Sequence, residues 1–407
     1  MIDRGAPALS VKIFPAGKAN AVRVDISERV TSFEFDDDEG KADKVSLDLD
    51  NFDLAIFDDP LWKKGNMLEV SWGYSGAMAP AQEAVITSIK GNWLVKVEAL
   101  AKSILMNKKP RTRLFEHMTR AQIVAQIAQE NGYGINVREI EDTKVVLPHV
   151  SQTNLTDAQF LKSLAAREGF QFYVGADGFH FHRRKVGSKP IRRFTYYVPG
   201  TEGDVSDVLD WNLENDITVK PGEIKAKGRD PLEKKDIDVT ADNSTPRETL
   251  APVIEIVDPI TGNTSLQPMG ASATLLTSAP NEDAAKREAQ GKFIQAQQTT
   301  VLLALSAIGD PFVAAKQVVE VFGISRRLSG RYYIKNVKHK LSSSEYTMSL
   351  SLRTDGTQGV GATNNTKSEG DLNTKDPADP SALVPVEVVS EISGETSTQF
   401  RRGAQTP

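Results

Sequence analysis

The sequence predicts a β-rich α+β, multidomain protein, with two antiparallel β regions flanking an α/β insertion and an extended C-terminal tail. Three observations carry this. Apolar and polar residues alternate through much of the first hundred residues and again between 302 and 352, the period of half-buried strands. Between these stretches the spacing changes to that of helix faces at 119–128 and 156–165. A chain of 407 residues also exceeds one typical domain.

Residues 1–108 are predicted as the first β region. Val22, Val24 and Ile26 alternate with polar neighbours, as do Val45, Leu47 and Leu49, then Leu68, Val70 and Trp72, then Trp93, Val95 and Val97. Gly65-Asn66, Gly73 to Gly76 and Gly91-Asn92 supply turns. Short strands at such spacing suggest an antiparallel barrel or sandwich. The acidic run Asp36 to Glu39 lacks the twelve-residue spacing of a calcium loop and reads as a solvated hairpin tip.

Residues 109–190 are predicted as the α/β insertion, and they hold an internal repeat. Thr119-Arg-Ala-Gln122 and Thr156-Asp-Ala-Gln159 are both Thr-x-x-Gln capping boxes, which satisfy free amides at a helix start. Each opens a helix with apolar residues on one face (123, 124, 127, 128 and 160, 161, 164, 165), then meets Gly132 or Gly169 and a β-rich segment. Two helix–strand units packed together are expected.

Residues 191–353 are predicted as a second β region with inserted loops. Trp211, Leu213 and Ile217 sit among polar residues, and the charged stretch Lys220 to Asp238 reads as exposed. A helix spans 281–298, capped by Asn281, with Ala284, Ala285, Ala289, Phe293 and Ile294 on its buried side. Residues 354–407 turn to Gly, Thr, Asn, Ser, Asp and Pro, an extended arm of low complexity without a core of its own. If it orders, neighbouring surfaces must offset the entropy cost, and Leu383, Val384 and Val386 mark where it would dock, by strand addition.

Composition excludes several functions. With no cysteine there is no disulfide framework, thiolate metal site or cysteine nucleophile. A net charge of −5 argues against a general nucleic-acid binder. The start MIDRGAPALSVKIF lacks the pattern of a secretory signal, and no apolar run approaches the roughly 20 residues of a bilayer span. Folding in a bacterial cytoplasm is expected. No phosphate loop, nucleophile elbow or His-Glu-x-x-His motif occurs. His180 and His182 would face the same way on a strand, as two ligands of a metal site would, but no third ligand stands at motif spacing. They read as ordinary strand residues. The basic cluster Arg183, Arg184, Lys185, Lys189, Arg192 and Arg193 could attract nucleic-acid phosphates, but it has no interleaved aromatics and reads rather as a solvated linker or a salt-bridged protein interface. No catalytic, cofactor-binding or metal residue is assigned, and the chain is expected not to be an enzyme.

Several motifs are informative as a set. They are the helix from Asn281, Gly309-Asp-Pro311, Val318-Val-Glu-Val-Phe-Gly323, Gly330-Arg-Tyr-Tyr-Ile-Lys-Asn-Val-Lys-His339, Tyr346 to Leu352, the Trp72-Gly-Tyr74 turn and the block from Thr153 to Val174. In order and spacing they resemble the phage late control D family, the baseplate hubs of contractile tails. The resemblance implies two tail-tube-like antiparallel β-barrels and a homotrimer forming a six-barrel ring. It implies no cofactor. The ring would join a sixfold tail tube to a threefold spike and leave a central channel for DNA or effector. Implied partners are a separate spike protein, the tail tube protein or its initiator, and other baseplate proteins. The implied location is the virion tail baseplate or an equivalent injection particle. The spike proteins of type VI secretion are similar, but this chain shows no needle-like repeat after residue 355. Two other classes stay open: a tail-associated cell-wall hydrolase, which needs a paired acid, and a host-surface adhesin, which needs exposed aromatic loops. Trp72, Tyr74, Tyr332 and Tyr333 are large residues near strand ends, candidates for subunit contacts or for the core.

Overall fold

The computed structural model describes residues 5–17, 21–107, 109–196, 207–215, 222–230, 233–242, 244–245, 250, 272–297, 301–324, 328–354, 383–389 and 396–402. The first β region contains β1 (Pro7–Phe14), β2 (Val24–Asp25), β3 (Val30–Asp38), β4 (Lys44–Asp50), α1 (Ala55–Asp58), β5 (Met67–Tyr74), β6 (Ala77–Met78), β7 (Gln82–Gly91) and β8 (Leu94–Ala101). Its alternating residues point inward where a neighbouring strand continues the ladder. Val45, Leu47, Leu49, Leu68, Val70, Trp72, Val95 and Val97 are all buried with Phe33 and Phe35. Val22, Val24 and Trp93 depart from the expected alternation. Val22 precedes the two-residue β2, Val24 lies on it, Trp93 sits in the turn between β7 and β8, and all three are exposed.

The insertion contains β9 (Arg111–Thr119), α2 (Arg120–Glu130), β10 (Arg138–Ile140), β11 (Val146–Leu155), α3 (Asp157–Glu168), β12 (Phe170–Gly175) and β13 (Gly178–Arg183). Both helices carry complete capping boxes, with Thr119 and Gln122 on one and Thr156 and Gln159 on the other. The equivalence extends further. β9 pairs with β11, while β10 and β12 flank β13, so each unit is strand, helix, strand. His117 and Asn154, each two residues before its capping Thr, both adopt φ of 50°. A left-handed residue at matched positions turns each chain from its strand into its helix. The helices bury Ile123, Val124, Ile127, Phe160, Leu161 and Leu164 against Phe179 and Phe181 of β13.

The second β region contains β14 (Arg193–Thr195), β15 (Val208–Asn215), β16 (Glu223–Arg229), β17 (Asp236–Ala241), β18 (Ser272–Leu276), α4 (Glu282–Gln297), β19 (Val301–Ile308), β20 (Val318–Phe322), β21 (Gly330–Ser342) and β22 (Tyr346–Thr354). The stretch expected to be exposed instead forms most of β16 and β17, whose Ile224, Ala226 and Ile237 pack beneath α4 with Ala284, Ala285, Ala289 and Phe293. Charged residues there alternate with these apolar ones, and the apolar half decides the fold. As expected, Asn281 caps α4, its Oδ1 accepting from the Ala284 amide at 2.9 Å.

Fourteen strands of both β regions form one sheet, along the path β15-β19-β22-β21-β3-β4-β8-β7-β5-β1-β2 with β14, β20 and β6 branching from it. The described strands close no barrel. The two regions join where β3 pairs antiparallel with β21, from Asn336 opposite Asp38 to Ser342 opposite Ser32. Leu341 and Tyr346, from the far end of the chain, therefore pack in the same core as Phe33, Leu47 and Trp72. In the arm, β23 (Leu383–Val389) pairs with β24 (Thr396–Arg402) as a separate hairpin. The strand expected to add to a neighbour pairs within the arm itself. Among the described residues, no helix is long and apolar enough to cross a membrane.

The insertion meets α4 at two glycines. A Cβ on Gly291 would stand 2.5 Å from the Gly169 amide nitrogen, closer than any real contact. Beside it Arg120, buried, bonds Glu168 at 2.5 Å and Glu288 of α4 at 3.1 Å. Gly291→Ala is expected to cost about 2 kcal/mol, the order of an overpacked core, since backbone on both sides must yield. Urea unfolding would measure it, and a change below about 0.5 kcal/mol would disprove the close approach.

Candidate functional site

The motifs quoted above meet in one buried cluster at the join of the two β regions. Trp72 packs on Phe35 with ring centroids 4.4 Å apart and on His339 at 5.4 Å. Tyr74 packs on Tyr346 at 5.3 Å and donates its hydroxyl to the Gly309 carbonyl at 3.2 Å. Gly73 lies so close to the following turn that a Cβ there would reach the side chain of Pro311. His339 is fully satisfied as a neutral ring. Its Nε2–H donates to the Val313 carbonyl at 3.0 Å, and its Nδ1 accepts the Tyr346 hydroxyl at 2.9 Å. Burial lowers its pKa to about 4.

A charged network lies beside this cluster, and it corrects the reading of Asp36 to Glu39 as a solvated tip. The run is the end of β3, covered by β21 and the insertion. Asp37 and Glu39 are buried. Asp37 pairs with Lys316 and accepts from the Ala315 amide at 2.8 Å. Glu39 pairs with Arg184 of the insertion and with Arg353 of β22 at 3.3 Å. Asn336 donates to Asp36 at 2.5 Å, and Lys338 bonds Glu34 at 3.1 Å. Desolvation and the neighbouring Asp37 push the Asp43 carboxyl well above its usual value. Desolvation opposes the charge on Lys316, yet Asp37 and Asp43 together raise its pKa. Lys316 also sits over the Tyr173 ring at 4.8 Å. Three parts of the chain are thus tied at one point: β3, the insertion and the strands around β21.

The predicted contact residues fall mostly inside. Trp72, Tyr74, Tyr332 and Tyr333 are all buried, so none presents surface to a partner. Tyr333 donates to Gln171 of the insertion at 2.8 Å, and Tyr332 to the Leu328 carbonyl at 2.9 Å. Leu383, Val384 and Val386 lie on β23, and their side chains are outside the described residues. The basic cluster is largely consumed within the chain. Arg183 pairs with Glu141, Arg184 with Glu39, Lys185 with Glu139, Arg192 with Asp207 and Asp310, and Arg193 with Glu320. His180 and His182 gain the third ligand type that spacing did not show: Glu139 on the adjoining β10. Burial lowers the pKa of His182, and a hydrogen bond from Lys185 lowers that of Glu139.

The exposed apolar surface lies elsewhere. Phe52 and Leu54 in the loop after β4, Phe57 on α1, and Trp93 and Leu94 at the turn into β8 are each more than 40% exposed. The Asn51 amide donates to the Trp93 carbonyl at 2.9 Å, which holds the two loops together. Their aromatic content was the only sequence signal.

Two predictions follow from the buried charges. Asp37→Asn leaves Lys316 without its main counter-ion and should cost about 3 kcal/mol, whereas Asp43→Asn, whose carboxyl stands farther from Lys316 at 3.9 Å, should cost under about 1. Equal losses in denaturant unfolding would contradict the assignment of Asp37 as the main partner. His339 is neutral in the fold and has an ordinary value near 6.5 when unfolded. Its contribution is therefore full above about pH 6.5 and is lost as pH falls toward 4. Between pH 7 and 5 it should account for about 2 kcal/mol. His339→Gln should remove that part of the pH dependence in parallel unfolding curves.

Solved structures of low sequence identity share this fold. A tail protein from Neisseria meningitidis aligns over 86% of this chain and 98% of its own, with a TM-score of 0.61 and 14% identity. A prophage 43 kDa tail protein from Shewanella oneidensis aligns over 86% and 99%, at 0.57 and 11%. An Escherichia coli component of the type VI secretion system, itself described as similar to the T4 phage tail proteins gp27 and gp5, aligns over 94% and 84%, at 0.51 and 13%. At these identities the likeness is one of fold: the chain has the fold of phage tail proteins. No curated protein matches the sequence. Residues 45–343, from within β4 to the end of β21, match the family model described as the Alg8 N-terminal domain, and the chain belongs to that family.

Proposed function

We propose that the chain is a structural hub of an injection-tail baseplate, of the late control D type, rather than an enzyme. The observation that carries this is the tail-protein fold, which accounts for nearly the full length of the first two aligned proteins. The family model that matches is described as the Alg8 N-terminal domain, so the proposal does not rest on it. The late control D assignment rests on motifs about 250 residues apart in sequence that meet around Trp72, Gly309 and His339. In this reading each chain supplies two tail-tube-like barrels, and closure into barrels comes with assembly. Three chains form the ring that joins tube to spike. A separate spike protein, the tube protein or its initiator and other baseplate proteins are the partners, and DNA or effector passes through the channel. The particle's baseplate is the site of action.

The work of such a hub is mechanical. It must pass force between tube and spike without its parts shearing. The continuous sheet and the ion pairs that tie the end of β3 to Arg184 of the insertion and to Lys316 before β20 resist that shear, because sliding one part would leave buried charges unpaired. The exposed loops at Phe52 and Trp93 are the proposed contact between copies, since apolar surface concentrated on adjoining loops marks an interaction site.

Light scattering on the purified chain is expected to give a mass near three times 44.5 kDa, alone or with the spike protein added. Trp93→Asp should shift that mass toward the monomer without changing the circular dichroism. A monomer at every concentration, with and without spike, would reject the trimeric ring.

A further inference from the structure

We propose that Glu139, His180 and His182 form a binding site for a divalent transition metal of the zinc class. One donor atom from each of the three lies within 4.8 Å of the others. β10 runs parallel to β13 with Glu139 opposite His180, and His182 follows on the same face. Glu139 Oε2 stands 3.3 Å from His180 Nδ1 and 3.7 Å from His182 Nε2. A tetrahedral zinc with bonds of 2.0–2.1 Å holds its donor atoms about 3.4 Å apart. The spacing is that of ligand atoms around an ion.

The hydrogen bonds around the site leave these atoms unused. His182 Nδ1 lies 2.7 Å from the Arg183 carbonyl, so this nitrogen carries a proton, and in the neutral ring Nε2 offers its lone pair on the side of Glu139. Nε2 is buried and makes no hydrogen bond, with the carboxylate oxygen 3.7 Å away. Lys185 holds the other carboxylate oxygen of Glu139 at 2.6 Å, which leaves Oε2 turned to the histidines. Neither ring nitrogen of His180 makes a hydrogen bond, although both are buried and the residue is only 6% exposed. Buried ring nitrogens without partners call for a ligand that accounts for them. The ring stacks on Tyr173 at 4.5 Å, which fixes its plane. Asp177, a mostly exposed side chain, lies 3.0 Å from Nε2 without making a hydrogen bond. It stands where a carboxylate would support a metal-bound histidine from behind. Two histidines and one carboxylate suit zinc better than calcium or magnesium, which prefer oxygen.

The test uses the tag-free full chain, treated with a chelator and titrated calorimetrically with Zn²⁺, and with Co²⁺ as a spectroscopic probe. One ion per chain is expected, with the intense visible bands of tetrahedral cobalt. Glu139→Gln and His182→Asn should each weaken binding at least tenfold. Glu139 is about half exposed, so its variant keeps the fold, and circular dichroism verifies this for both. No binding by the native chain overturns the proposal. So does binding that either variant leaves unchanged, which would place the ion elsewhere.

Discussion

Every path through the main sheet from one β region to the other crosses the ladder between β3 and β21. That pairing brings Leu341 and Tyr346 into the first core, places His339 against Trp72, and lays Asn336 and Lys338 over the acidic end of β3. Without it, Asp37 and Glu39 would be solvated and Lys316 would have no reason to be buried. The aromatic cluster and the ion pairs are consequences of one strand-to-strand contact between distant parts of the chain. The insertion then seals the contact from the side through Arg184, Gln171 and Tyr173.

Local chemistry was legible in the sequence, and long-range pairing was not. The capping boxes at Thr119 and Thr156, the cap at Asn281 and the inward sets of β4, β5 and β8 follow from spacing alone, because neighbours a few residues away decide them. The acidic run misled because its burial depends on Arg184, Lys316 and Arg353, which only the fold supplies. Trp72, Tyr74, Tyr332 and Tyr333 look alike in a core and in an interface, and only the register of β5 and β21 shows them to be buried. Glu139 had no motif spacing to His180 because the two meet across strands.

The internal repeat organises the insertion. Each unit contributes one strand to the β9–β11 pair and one to a flank of β13, so the two are related by exchange of equivalent parts. The shared turn at His117 and Asn154 shows that this likeness reaches the backbone. The faces of β13 then divide the labour. Phe179 and Phe181 build the core, while His180 and His182 look toward polar neighbours.

The antiparallel ladder of β3 also constrains how the chain is made. Asp38 waits for Asn336, so about three hundred residues must leave the ribosome before that edge is covered. In the interval β3 is an open strand edge, the kind of surface that recruits other chains. Its last residues are Asp36, Asp37 and Asp38, followed by Glu39 and Gly40. Three successive like charges repel a second copy of the same strand in register. The charges that anchor lysine and arginine in the finished molecule thus also oppose such pairing while the edge is uncovered.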